Sequence, residues 1–214
     1  MILTIRTSSG PHGLALFDQN QLVGKQVSKA MGIKTTALSR LLQDLLAQAG
    51  CSMAQVTKII VDCGPGGLAS TRVGVGFANA LAYASKAELV GANALELQWL
   101  SVRSQTSLPI LSLRPAAIGN AYWQLYDQSG LLTEGHGPLE ARLNHIQAQH
   151  GLVALAGPIK RLRLTEAQHR DHALLDCEEI DFECFLQATE IPARPDAGLS
   201  LLDPIMAADH MVNV

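Results

Sequence analysis

Residues 63–76, CGPGGLASTRVGVG, constrain the fold more than any other stretch of the chain. Five glycines lie in it, directly after the stretch TKIIVD at 57–62. The pattern predicts a buried strand over 57–62, a glycine turn, and a helix over about 70–85. That helix is nearly bare, because Gly74, Gly76, Ala78, Ala80, Ala82 and Ala84 carry little or no side chain. A glycine inside a helix costs about 1 kcal/mol relative to alanine. Close approach of another backbone is the usual reason to accept that cost, whether the neighbour is the chain's own sheet or a partner's helix. The turn also has the form of a phosphate loop. Backbone N–H groups at a helix N-terminus favour anions, and glycine lets a ligand come near. Gly64, Gly66, Gly67 and Arg72 are the candidate residues for that use. The stretch matches neither G-x-x-x-x-G-K-[ST] nor G-x-G-x-x-G, and it holds no lysine. Close packing is therefore the first reading and phosphate binding the second.

The surrounding elements define an α/β chain. Residues 1–8, 13–17 and 21–27 read as a three-strand meander, with turn signals at Ser8-Ser9-Gly10-Pro11 and Asp18-Gln19-Asn20. A helix follows, with Leu38, Leu41, Leu42, Leu45, Leu46 and Ala49 on one stripe. Thr36 is its candidate N-cap and Gly50 its candidate C′ residue. Beyond the glycine turn come a strand over 89–91, a helix over 94–102 and a polar joint at 104–107. A second strand set then begins at 109–113, 121–126 and 131–134. A helix over 139–150, a strand over 152–156 and a helix over 181–188 complete it, while residues 191–214 read as loop. Three strands, helix, strand, helix, followed by a weaker echo, imply two α/β lobes. We place them at 1–104 and 105–214.

Composition excludes several classes. With 48% hydrophobic and 16% charged residues, the 214-residue chain can bury a core and is not a disordered protein. A net charge of −3 argues against gripping nucleic acid over the whole surface. Four cysteines show neither a C-x-x-C pair nor a disulfide framework, which reads as reduced thiols in a cytoplasmic protein. No signal peptide or membrane span is read.

Several residues resemble one family. The opening "ILTIRTS", Gly64-Pro65-Gly66, Arg72-Val73-Gly74 and the later "GNAYW" with Gly119, Tyr122 and Trp123 are similar to the TsaB (YeaZ) family pattern. The leucine-rich helix and "LVGANALE" stand where that family has corresponding segments, and the likeness covers about residues 1–126. The resemblance implies a two-lobed actin-like (ribonuclease H-like, ASKHA) fold, each lobe a mixed sheet with helices. It also implies a non-catalytic accessory subunit. Such a subunit pairs with a TsaD-like enzyme in forming threonylcarbamoyladenosine on tRNA, alongside a TsaE-like ATPase, and meets tRNA only indirectly. When alone, it forms a homodimer. The implied interface comprises Leu38, Leu41, Leu42, Leu45, Arg72, Val73, Gly76 and Ala80. No cofactor is expected on this chain by itself, and ATP and Mg²⁺ belong to the assembled complex.

The departures point the same way. Arg6 stands where the family pattern has aspartate, and a guanidinium cannot ligate Mg²⁺. Gly67-Leu68-Ala69-Ser70 replaces Ser-Phe-Thr-Gly, Asn120 replaces a glutamate, and Pro115-Ala116-Ala117 replaces Asp-Ala-Arg. No catalytic residue and no metal ligand set is assigned. The competing reading is a stand-alone nucleotide-dependent hydrolase or glycoprotease-like peptidase of the same fold. A third is an orphan homodimer that has left the pathway.

Other constellations are weaker. His169 and His172 have a metal-pair spacing without a third ligand, and read as a solvated loop. Lys160, Arg161, Arg163 and Arg170 form the basic run, which reads as a solvated face or a phosphate contact. Cys63 lies near a helix N-terminus, where a thiol pKa falls, but a buried structural thiol is the preferred reading.

Overall fold

The computed structural model describes residues 1–8, 10–28, 35–117, 119–162, 164–196 and 199–205. Its contacts divide the chain into two units. The first comprises Met1–Ala94 with Glu179–Ile205, and the second is built on Leu95–Glu178.

In the first unit, β1 (Ile2–Arg6), β2 (Gly13–Asp18) and β3 (Gln21–Val27) form an antiparallel meander. Helix α1 (Thr35–Ala49) then leads to β4 (Lys58–Asp62), which pairs parallel with β1. Helix α2 (Leu68–Ser85) leads to β5 (Glu88–Ala92), parallel to β4. The resulting order is β5-β4-β1-β2-β3, with one later strand added outside β5. Strands β1 and β4 are buried along nearly their whole length, as central strands are. Their Leu3, Ile5, Ile59 and Val61 meet Leu38, Leu42 and Leu45 of α1 and Val75, Phe77 and Ala78 of α2 in one core. Gly50 ends α1 at φ 62°, with Cys51 N–H donating to Leu46 O and Gly50 N–H to Ala47 O. This is the paired hydrogen-bond pattern of a glycine-terminated helix, as the sequence led us to expect. The side chain of Thr36, the expected N-cap, lies outside the described residues.

The second unit repeats the order. Helix α3 (Ala94–Val102) enters it and is followed by the meander β6 (Ile110–Pro115), β7 (Asn120–Asp127) and β8 (Gly130–Pro138). Helix α4 (Leu139–His150), β9 (Ala154–Gly157), the short α5 (Glu166–Asp171) and β10 (Ala173–Asp176) complete a sheet ordered β10-β9-β6-β7-β8. Leu139, Leu143 and Ile146 recur at helical spacing and bury one face of α4 on Leu111, Leu113, Trp123 and Leu155. Thr165 and Gln168 cap α5 reciprocally.

Two mixed sheets with helices, in this repeated strand order, form the α/β architecture expected from the sequence. The division differs from the expected 1–104 and 105–214. Trp99 and Val102 of α3 pack with Ile110, Ala154 and Ala156, so the helix goes with the second sheet and the polar joint at 104–107 is not a boundary. The chain also returns to the first unit. β11 (Ile191–Pro192) adds antiparallel to β5, and β12 (Arg194–Asp196) pairs with β13 (Leu199–Leu201). Residues expected as loop thus include three short strands, and the helix expected over 181–188 is a 3-10 turn at Phe182–Leu186. Among the described residues no helix is long and apolar enough to cross a membrane.

Candidate functional site on the first unit

The glycine turn joins β4 to α2, and Asp62 organises it. Its carboxylate is fully buried and accepts from Ser8 N–H at 3.0 Å and Gly64 N–H at 2.8 Å. Gly67 N–H donates to Ser8 O at 3.1 Å. Two of the glycine N–H groups that a phosphate loop would offer are therefore engaged by the chain itself. The glycines have steric reasons as well. A Cβ on Gly66 would overlap Ser8, standing 2.7 Å from its Cβ, and one on Gly74 would overlap Thr7, standing 2.8 Å from its Cγ2. The turn and the start of α2 thus press directly on the end of β1, which is the close-packing use.

Arg6 closes the same region from below. Its guanidinium is 3% exposed, donates to Ile180 O and, at 3.0 Å, to Pro11 O, and lies 4.6 Å over the Phe182 ring. The side chain that stands at the family's acidic position is a strut between β1, the β1–β2 turn and the returning segment. Beside it, burial lowers the pKa of His12 and the Arg6 charge adds to the effect, against a Thr7 backbone hydrogen bond and the Asp62 charge. Burial first, and Asp62 second, push the Cys63 thiol up to about 12. Cys63 is thus a protonated structural thiol at neutral pH and not a nucleophile. Three side-chain atoms here, Thr7 Oγ1, Ser8 Oγ and His12 Nδ1, are buried without a hydrogen-bond partner among the described residues.

The expected interface residues separate into two sets. Leu38, Leu42 and Leu45 are buried in the core of their own unit and Leu41 is half-buried, so the leucine stripe of α1 faces β2 and β3. On α2, Thr71, Gly74, Val75, Ala78 and Ala82 face inward. Asn79 exchanges two hydrogen bonds with the Leu202 backbone, which covers one flank of the helix. Arg72, Gly76 and Ala80 are exposed on the opposite side and Val73 is half-buried. Leu68, 50% exposed, and Tyr83, 61% exposed, stand at the two ends of that strip. A Cβ on Gly76 would meet nothing within 4 Å. Among the described residues no contact accounts for this glycine.

The other candidates lie apart. Trp123 is buried in the second core under Arg142, while Tyr122 projects from the opposite sheet face and meets His136 in a tilted ring contact. Lys160, Arg161 and Arg170 are exposed, and Arg163 lies outside the described residues, as does the His169 side chain. His172 is buried, with Nδ1 3.2 Å from Val153 O. Among the described residues no three potential metal ligands come together. Arg6 and Asn79 as ties to residues 179–205 were not read from sequence, since nothing in the linear chain announces that those residues return to β1 and α2.

Comparison with known proteins places this architecture. A family model described as TsaD, tRNA N6-adenosine threonylcarbamoyltransferase, matches residues 34–135. The Escherichia coli K12 tRNA threonylcarbamoyladenosine biosynthesis protein TsaB is 25% identical over 133 residues, covering 61% of this chain. The chain is similar in sequence to the TsaB (YeaZ) family. The match spans 57% of the length of the E. coli protein. The fold is shared over a longer range. The structure of YeaZ from Pseudomonas aeruginosa has a TM-score of 0.65 at 19% identity, covering 86% of this chain and 88% of that one. A second Pseudomonas aeruginosa protein, described as similar to peptidase YeaZ, has a TM-score of 0.69 at 20% identity, covering 87% and 88%.

Proposed function

We propose that this chain is a non-catalytic accessory subunit in tRNA threonylcarbamoyladenosine modification, and that it pairs with a TsaD-like enzyme through the exposed strip of α2. The observation that carries the reading is Gly76. It weakens a helix in which no contact among the described residues requires it, on a face that also carries Arg72, Ala80 and the exposed Leu68 and Tyr83. A second helix laid across that strip would make the glycine useful by allowing close backbone approach. The engaged turn and Arg6 at the acidic position support the non-catalytic part. In this reading a TsaE-like ATPase, ATP and Mg²⁺ join in the assembled complex, tRNA is met through the partner, and the chain alone pairs with itself.

Light scattering on a size-exclusion column tests this, first on the chain alone and then after co-expression with the TsaD-like protein of the same organism. The expected result is a heterodimer that replaces a homodimer and is abolished by Gly76→Glu in a chain that still folds. A chain that ignores that partner would remove the accessory reading and leave an orphan homodimer.

One observation favours the nucleotide-dependent alternative. Thr7, Ser8 and His12 carry buried polar atoms without partners beside a helix N-terminus. ATP turnover by the isolated chain, lost in Ser8→Ala, would establish that alternative instead.

A further inference from the structure

The two units share a strand order but differ at one equivalent place. In the first, the turn after β4 is packed shut against the β1–β2 turn through Gly66 and Ser8. In the second, the connection after β9 and the β6–β7 turn border a cavity of about 370 Å³. That volume accommodates a small organic molecule.

The lining is specific in its charges. Among the described residues it offers one cation, Arg161, one carboxylate, Glu140, and the amide of Asn120, against apolar walls that include Pro115, Leu139 and Leu162. Arg161 is held by its inner nitrogen, with Nε 3.6 Å from Glu178, so its outer edge is left to fork onto an anion. Glu140 lies in the first turn of α4, whose N-cap is Pro138 and makes no side-chain cap bond. The floor is fixed by backbone bonds from Asn120 to Ala117 O, from Ala116 to Asn120 O and from Leu139 to Gly119 O. Among the described lining residues the charges are one cation and one carboxylate, which suits neither a polyanion, which Glu140 would repel, nor a neutral apolar molecule, which would leave Glu140 without a partner.

We infer that the second unit binds a small zwitterion of the free α-amino acid class. Its carboxylate meets Arg161, its ammonium meets Glu140, and an aliphatic side chain lies against Leu139 and Leu162. This site does not depend on the tRNA-modification reading and is independent of the α2 strip.

Isothermal titration of the purified full chain with L-leucine tests the inference. At about 10 mM ligand, a site of about 1 mM affinity is mostly filled. The expected result is saturable binding that weakens roughly tenfold or more in Arg161→Met and in Glu140→Gln. Leucinamide and N-acetyl-leucine, which each lack one charge, should fall by a similar factor. Unchanged circular dichroism would show that the variants are folded. Absence of binding by leucine, phenylalanine and threonine would overturn the proposal. So would binding of leucinamide or N-acetyl-leucine as tight as that of leucine, or competition by inorganic phosphate or AMP that survives Glu140→Gln.

Discussion

Helices α1 and α2 belong to the same unit and flank the same strand, β4, yet they use their small and apolar residues in opposite ways. The leucines of α1 recur at helical spacing, and Leu38, Leu42 and Leu45 are almost wholly buried against β2 and β3. The glycines and alanines of α2 are divided, with Gly74 and Ala78 inward and Gly76 and Ala80 outward. A strong apolar stripe identifies a face that something must cover, and in α1 the sheet does so. A bare helix identifies close approach, and in α2 the sheet accounts for only half of it. The half left over is where a partner is expected.

The largest effect that sharpens this contrast comes from Leu45. Truncation to alanine should destabilise the chain by about 2–5 kcal/mol in urea unfolding, and Leu45→Asp by more, because it buries an unpaired charge. Ala80→Glu should change stability by no more than about 0.5 kcal/mol while blocking association. If Leu45→Asp gave a stable monomer and Ala80→Glu unfolded the chain, the roles assigned to the two helices would be reversed.

Arg6 comes next. Replacing it with methionine keeps the bulk over Phe182 but leaves the Ile180 and Pro11 carbonyls without their charged donor. The expected loss is about 2–3 kcal/mol. Hydrogen exchange should accelerate most in 179–205, the segment the strut holds to β1. Uniform acceleration across both units would contradict a local tie.

Much of this fold was legible because it is local. The meander, both long helices of the first unit, α3 and α4 follow from periodicity and turn chemistry that each segment carries in itself. Gly50 as a helix terminator is the clearest case, since a φ of 62° favours glycine whatever surrounds it. The missed parts depend on distant sequence. Residues 179–205 have weak periodicity; β11 forms on the open edge of β5 at Val90 and Gly91, and β12 and β13 form by pairing with each other. The site was legible to the same degree. The glycine turn was found by composition, but whether its N–H groups face a ligand or the chain depends on Asp62 and Ser8, 54 residues apart. The leucine stripe was found by spacing, but spacing does not say whether a sheet or a partner covers it.

The smallest effects divide the contrast most finely, because they fall on two glycines two residues apart in one helix. Gly74→Ala forces a methyl group into Thr7 and should destabilise the isolated chain by about 1–3 kcal/mol. Gly76→Ala adds the same methyl group to open space and should stabilise it by about 0.5–1 kcal/mol through helix propensity alone. If α2 packs on a partner at Gly76, that gain must be accompanied by weaker association, read as a higher dissociation constant in the light-scattering experiment. The two measurements on Gly76→Ala then have opposite signs, which neither a purely structural glycine nor an indifferent surface position would give. A variant that is more stable and associates as before would show that the exposed strip does not touch the partner at this point.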